Sequence, residues 1–406
     1  MILRRRPRLL VVASTYPRWK SDPEPGFVHE LAKRLTPWFD VTVLCPHAPG
    51  ALRHERLDGV DVWRFRYAPT RLQVLVNNGG IVTNLRRSIW KFMLVPGFLV
   101  GLVLATRRLV NALQPHVAHA HWLVPQGLVL AVLRLLDERT PPFVVTSHGA
   151  DLYALRAAPW AVLKGFVARR AEALTVVSEA MAVEVARMTS GAVRASVQPM
   201  GADLLHRFTP DLAVKRSHDE ILFVGRLVEK KGLGRLIDAM PAILKTKPSA
   251  FLSVVGFGPE EAERREQVRC LGLQDKVRFL GPLPQEHLPA IYRRAALLVA
   301  PFVKAQSGDQ EGLGLVVVEA LGCGCPLIVG NVPAVADLLP EQSPNVVDAS
   351  HPESIASAVA RVLSDPESAR EQAARLRAAT VERFDWMNVA KRYAELLESV
   401  AGLRTV

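Results

Sequence analysis

Cysteine is scarce in this chain and poorly spaced for chemistry. Only Cys45, Cys270, Cys323 and Cys325 occur among 406 residues. No Cys/His pair stands near Cys323 and Cys325 to complete a zinc site, and the spacing excludes a disulfide scaffold. The thiols read as small, reduced and mostly buried, in a cytoplasmic protein. Asp-x-Asp is absent altogether, although enzymes often hold a nucleotide diphosphate through a divalent ion on such a pair. No G-x-G-x-x-G follows the first apolar run, which argues against a dinucleotide dehydrogenase. No apolar run reaches the ~20 residues that a membrane-spanning helix needs. The longest, residues 92–106, is interrupted by Pro96 and flanked by Lys91 and Arg107-Arg108, so a buried or interfacial helix is expected there. The basic N-terminus resembles the start of a signal peptide. The apolar run Leu9–Ala13 that follows is too short for one and is read as a first buried strand.

Acidic residues are thin in the first half. Residues 1–200 carry 26 Lys/Arg against 13 Asp/Glu, and residues 201–406 carry 25 against 26. A one-sided basic surface calls for an anionic partner such as acidic lipid or a phosphorylated substrate. Nucleic acid ranks last, because no basic-aromatic interleaving of an RNA-binding module accompanies the charge.

What is present is a βαβ rhythm. Short apolar runs at 9–13, 41–45, 117–121, 143–147, 174–178 and 197–200 read as strands. Several are apolar at consecutive positions, as buried parallel strands are. Helical patterns at 27–37, 123–136 and 179–188 lie between them. The polar stretch around Pro210 breaks the rhythm. It resumes with strands at 221–224, 251–256, 277–280, 297–300 and 326–329. The expected architecture is α/β, with two Rossmann-like doubly wound domains facing a central cleft. Their expected bounds are 1–203 and 219–380, with a linker at 204–218 and a C-terminal helix at 381–406 crossing back to the first domain. Ligands of such sheets bind beyond the carboxyl ends of the strands, so the strand-to-loop junctions carry the functional reading.

In the second half, GRLVEKKGLG (225–234) follows a strand. Arg226 and Lys231 beside a helix N-terminus suit a diphosphate, through a planar fork, a point charge and free N–H donors. Lys-Lys-Gly also fits an ordinary turn. Gly256 and Gly258 in GFGPEE would let backbone approach a ligand, or simply make a tight turn. Glu311 and Glu319 stand eight apart in DQEGLGLVVVEALGCGCP. They could grip one small polar ligand at two points, or be a capping carboxylate and an unrelated helical one. In the first half, His148 and Asp151 in TSHGADLY and His121 in HAHWLVPQG fall at strand ends. His116, His119 and His121 near His148 suggest metal only weakly, since no carboxylate is spaced to join them.

The strings FVGRLVEKKG, SVVGFGPEE, VRFLGPLP and EGLGLVVVEALGCGCPLIVG, in that order, resemble the family-four retaining glycosyltransferases of GT-B fold. STYPRWKSDPEPGFVHELAKRL, HAHWLVPQG, TSHGADLY, QPMGAD and FDWMNVAKRYAELL extend the resemblance over nearly the whole chain. It implies that the second domain holds a nucleotide sugar and the first an acceptor. Glu311 would contact the donor sugar near its reacting carbon, Glu319 the ribose hydroxyls, Arg226 and Lys231 the diphosphate, and His148 the sugar side of the cleft. Gly256, Gly258 and the loop Gly312-Leu313-Gly314 would complete the donor site, with Gly26, His121 and Asp151 on the acceptor side. The family's first loop often has two adjacent glycines. Here only Gly26 follows Pro23 and Pro25, a departure from that pattern at the loop the family uses for phosphate contact.

The expected activity is therefore a retaining, metal-independent hexosyltransferase with no cofactor. It would act on a nucleotide sugar and a glycan or lipid-linked acceptor in the cytoplasm, peripheral at the acidic surface on the inner face of the cell membrane. A nucleotide-sugar epimerase of the same architecture and a non-catalytic carbohydrate- or nucleotide-binding member are the rivals.

Overall fold

A computed structural model describes residues 6–20, 22, 26–77, 80–153, 158–340 and 342–403. Arg4, Arg5, Pro23 and Pro25 lie outside the described residues. The chain divides into two compact units. One holds Met1–Met200 together with Val389–Val406, and the other holds Gly201–Asn388.

Among its described residues the first unit is built on eight strands: β1 (Arg8–Val12), β2 (Asp40–Pro46), β3 (His54–Leu57), β4 (Val60–Phe65), β5 (Val117–His121), β6 (Phe143–Ser147), β7 (Ala173–Val176) and β8 (Ser196–Val197). Their order across the sheet is β3-β4-β2-β1-β5-β6-β7-β8. All neighbours are parallel except β3 and β4. That hairpin turns at Asp58-Gly59, where both residues have positive φ, as a two-residue hairpin turn demands. The central strands β5 and β6 are buried at every position, so His119 and His121 of β5 and Thr146 and Ser147 of β6 lie inside with the apolar residues.

Among its described residues the second unit has six parallel strands: β9 (Glu220–Val224), β10 (Phe251–Val255), β11 (Val277–Gly281), β12 (Leu297–Ala300), β13 (Leu327–Gly330) and β14 (Val346–Val347), ordered β11-β10-β9-β12-β13-β14. Its core gathers Ile221, Leu252 and Val299 from the sheet with Leu236, Ile237 and Val359 from covering helices. Each such side chain contributes about 1.5–3 kcal/mol when fully buried.

Three expectations need correction. Residues 204–218 are part of the second unit rather than a separate linker. Leu204 and Phe208 are buried there, and Arg216 donates to the carbonyls of Tyr292 and Ala295 at 2.9 and 2.7 Å. The apolar segment is also longer than fifteen residues. It forms a helix at Leu94–Leu113 preceded by a 3₁₀ turn at Ile89–Met93. Pro96 does not interrupt it, because a proline in the first turn has no intrahelical N–H to lose. By length and composition this stretch is sufficient to cross a membrane.

The stretch at 381–406 is not one helix. Pro366–Phe384 ends at Asp385, and a separate helix, Trp386–Val400, follows. Asp385 ties the two ends of the second unit together. Its carboxylate accepts from the N–H of Leu204 at 3.0 Å and of Met387 at 2.8 Å.

Candidate active site

In the second unit, strand order reverses between β9 and β12, which are hydrogen-bonded neighbours. Loops leaving adjacent strands there diverge to opposite faces and open a crevice. The loop after β9 carries Arg226 and Lys231. The loop after β12 carries Glu311. The sheet thus brings together residues about eighty positions apart in sequence.

Lys231 closes a 3₁₀ turn, Glu229–Lys231, and Gly232 opens the helix Leu233–Thr246. Gly232 has φ of 73°, and a Cβ there would lie 1.8 Å from the Pro301 carbonyl oxygen. Only glycine fits, so the turn that presents Lys231 is pressed against the loop that presents Glu311. Lys231 Nζ stands 2.6 Å from Glu311 Oε2, an ion pair with both side chains about 15% exposed or less. The ammonium also lies 4.9 Å from the Phe302 ring centroid. Lys230, a residue the sequence reading passed over, pins the same loop through Asp309 and the Gln310 carbonyl, each at 3.2 Å. Arg226 is half-buried one residue beyond Gly225.

The two glutamates occupy opposite electrostatic settings. Burial pushes the Glu311 carboxyl up, but Lys231, Lys230 and the Gly312 N–H outweigh it and bring the pKa to about 2. Glu319 lies in the helix Leu315–Gly322 and is buried. Burial raises its pKa to about 7, against the opposing pull of Tyr292 and Gln285. Tyr292 Oη donates to Glu319 Oε2 at 2.9 Å, and Gln285 Nε2 to Oε1 at 3.4 Å. Glu311 is therefore anionic at neutral pH, whereas Glu319 is poised between charge states.

The raised pKa has a consequence for stability. The folded state holds a proton on Glu319 that the unfolded chain releases near pH 4.3. Stability is therefore lost as pH rises from that value through about 7. Glu319→Gln keeps an acceptor for Tyr292 without the buried charge. Its melting temperature is expected to exceed that of the parent at pH 8, with the gap closing towards pH 5. Equal gaps at both pH values would show that Glu319 is not the titrating group.

Gly256 and Gly258 serve the fold directly. A Cβ on Gly256 would lie 1.9 Å from the Gly225 carbonyl oxygen, and one on Gly258 2.3 Å from that of Leu227. The loops after β9 and β10 pack backbone on backbone, sealed by Leu227 N–H to the Phe257 carbonyl at 2.9 Å. Of the loop Gly312-Leu313-Gly314, Leu313 is buried and Gly314 immediately precedes the Glu319 helix. The Gly312 N–H lies 3.3 Å from Glu311 Oε1.

In the first unit the order reverses between β1 and β5. His121 ends β5 and His148 follows β6. Their rings stack with centroids 5.1 Å apart, and His121 Nδ1 meets His148 Nε2 at 2.9 Å. His121 is fully buried while His148 is half-buried. Burial, reinforced by the neighbouring His119, lowers the His148 pKa to about 3. Burial likewise holds His121 well below its usual value. The pair is neutral at pH 7, and His121 acts on His148 as a positioning residue. Gly26 precedes the helix Phe27–Leu35, whose first ring lies 4.8 Å from His148.

Asp151 has both oxygens committed inside the fold, to the Leu123 N–H at 2.7 Å and Ser147 Oγ at 2.8 Å. It shapes the loop after β5. Among the described residues, no group of three His, Cys, Asp or Glu side chains is placed to hold a metal.

Residues 208–380 match the family described as Glycosyl transferases group 1, and residues 27–204 match Glycosyltransferase Family 4. The chain belongs to the group 1 glycosyltransferases. It is 31% identical over 210 residues to a GDP-mannose-dependent alpha-(1-6)-phosphatidylinositol monomannoside mannosyltransferase of Mycolicibacterium smegmatis, covering 49% of this chain and 55% of that protein. It is 28% identical over 295 residues to a glycogen synthase of Mycobacterium tuberculosis, covering 70% of this chain and 68% of that one. The match thus spans about half the length of the first relative. The sucrose-phosphate synthase of Thermosynechococcus elongatus superposes with a TM-score of 0.78 at 21% identity, covering 98% of this chain and 100% of that one. The two α/β units are those of the GT-B fold.

Proposed function

We propose that this chain is a retaining, metal-independent hexosyltransferase that moves a hexose from a nucleoside diphosphate to a hydroxyl of a lipid-linked or cell-envelope glycan. The observation that carries this reading is the Lys231–Glu311 ion pair at the reversal of strand order, eight residues before the buried Glu319. A leaving diphosphate gains negative charge as the sugar gains positive charge. Lys231, Arg226 and the N–H groups opening the helix at Leu233 answer the first. Glu311, anionic at pH 7, answers the second or orients the sugar. In the reaction the C1–phosphate bond breaks and the acceptor oxygen bonds to C1 on the same face. The acceptor proton passes to the departing phosphate oxygen. His148, neutral, offers a hydrogen bond rather than a charge. The relative named for a phosphatidylinositol monomannoside supports the lipid-linked class of acceptor.

A donor panel including GDP-mannose and UDP-glucose tests the proposal, with release of nucleoside diphosphate followed with and without lipid-linked acceptors. Acceptor-dependent release with the anomeric configuration kept is expected. Isomerisation of donor alone would indicate an epimerase instead. Turnover is expected to survive EDTA. Loss in the chelator, restored by magnesium or manganese, would overturn the cation-pair account.

A further inference from the structure

From Val62 to Leu136 the sequence contains no Asp or Glu, while Arg64, Arg66, Arg71, Arg86, Arg87, Lys91, Arg107, Arg108 and Arg134 are all basic. Within this stretch the helix Leu94–Leu113 and its leading 3₁₀ turn have two unlike faces. Leu94, Phe98, Leu102, Thr106 and Val110 are buried at a spacing of four. Phe98 packs edge-on between Phe65 and Tyr67, with both ring centroids 5.3 Å away. The backbone comes closer still. A Cβ on Gly97 would lie 2.5 Å from the Tyr67 carbonyl oxygen, and one on Gly101 2.7 Å from that of Arg66. This side is locked onto the chain leaving β4.

The opposite side is apolar and uncovered. Ile89 is 84% exposed, Met93 77%, Leu104 62%, Val100 58% and Phe92 55%, with Trp90 beside them. Met93, Val100 and Leu104 recur at helical spacing and form one stripe. Exposed Arg86 and Arg87 stand at one end and exposed Arg107 and Arg108 at the other. Only 22% of the most apolar window is buried. Soluble proteins seldom leave such a stripe to water.

Three occupants are conceivable: a membrane crossed by the helix, a second copy of the chain, or a membrane surface. Crossing would require the helix to leave its glycine-backed seat on the sheet and surround itself with lipid. A second copy would bring its own arginines against these, since the stretch has no acid to offer. An acidic bilayer surface suits both halves of the pattern, because acyl chains take the apolar stripe and anionic headgroups meet the arginines. We propose that residues 86–108 form a docking face that lies in the interface of an acidic phospholipid bilayer without crossing it. This deepens the lipid-linked acceptor class of the proposed function, though binding itself needs no transfer chemistry.

Flotation of the full chain with vesicles tests it. Binding is expected to phosphatidylglycerol-containing vesicles, not to phosphatidylcholine alone, and to weaken as salt rises. Each of Arg107→Gln and Arg108→Gln is expected to cost about fivefold in vesicle affinity. Phe92→Ser with Met93→Ser is expected to abolish retention, with the circular dichroism melt unchanged. Equal binding to both vesicle types, or none to either, overturns the proposal. Retention after alkaline carbonate washing would establish a span instead. Concentration-dependent self-association lost in the serine variant would establish a second copy. Donor hydrolysis without vesicles reads the transfer site independently. Its survival in the serine variant means that a docking failure leaves the transferase reading intact, and its absence from the parent leaves the docking result standing.

Discussion

Lys231→Ala is expected to lower turnover by about two to four powers of ten while the protein still folds, the range seen when donors to developing transition-state charge are removed. Arg226→Ala is expected to fall in the same range. Lys231 is the more informative of the two because its partner is known. Removing it leaves Glu311 nearly buried and without the ammonium at 2.6 Å. The Glu311 pKa, now held at about 2 chiefly by Lys231 against burial, then rises. The pH–rate profile of the variant should therefore gain a limb at acidic to neutral pH that the parent lacks. Lys231→Arg restores charge and should recover part of the rate. Turnover like that of the parent in Lys231→Ala, measured by nucleoside diphosphate release, would remove the diphosphate assignment.

The second large effect separates the two glutamates. Glu311→Ala is expected to reduce kcat by about two to three powers of ten with little change in donor KM, since a contact near the reacting carbon strengthens as charge develops. Glu319→Ala should act mainly on nucleotide affinity, because ribose contacts are similar in ground and transition states. Titration with nucleoside diphosphate alongside steady-state kinetics distinguishes them. A weaker nucleotide in Glu311→Ala and a slower rate at unchanged affinity in Glu319→Ala would reverse the roles.

Much of this arrangement was legible in the sequence, for physical reasons that can be named. Strands β6 and β12 are buried on both faces, so the apolar runs Phe143–Val145 and Leu297–Ala300 mark them. The hairpin β3–β4 was not seen. Its first strand, His-Glu-Arg-Leu, is largely exposed at the sheet edge, so only the Asp58-Gly59 turn signalled it. Strand β14 has two residues, too few for any pattern. At the site, Arg226, Lys231 and both glutamates announced themselves by spacing and by family resemblance. Tyr292 and Gln285 did not, because they reach Glu319 only through tertiary packing. Gly256 and Gly258 suited ligand approach or a tight turn alike, and the close packing of the two loops they permit depends on partners distant in sequence. Pro96 looked like an interruption because its place in a first turn depends on where the helix begins.

Tyr393 has a bearing on how the protein is made. Its hydroxyl donates to the Gln198 carbonyl at 2.9 Å, and its ring centroid lies 5.5 Å from that of the buried His119. His119 in turn meets Thr146 at 2.7 Å. The floor beneath the stacked histidines is thus closed by a side chain that leaves the ribosome about two hundred residues after the sheet it covers. During synthesis the first unit must wait, incomplete and with part of its interior open, until the whole second unit has emerged. The order of translation then makes the second unit the first that can finish folding. A gene fragment ending at Met200 would encode a sheet without its last wall.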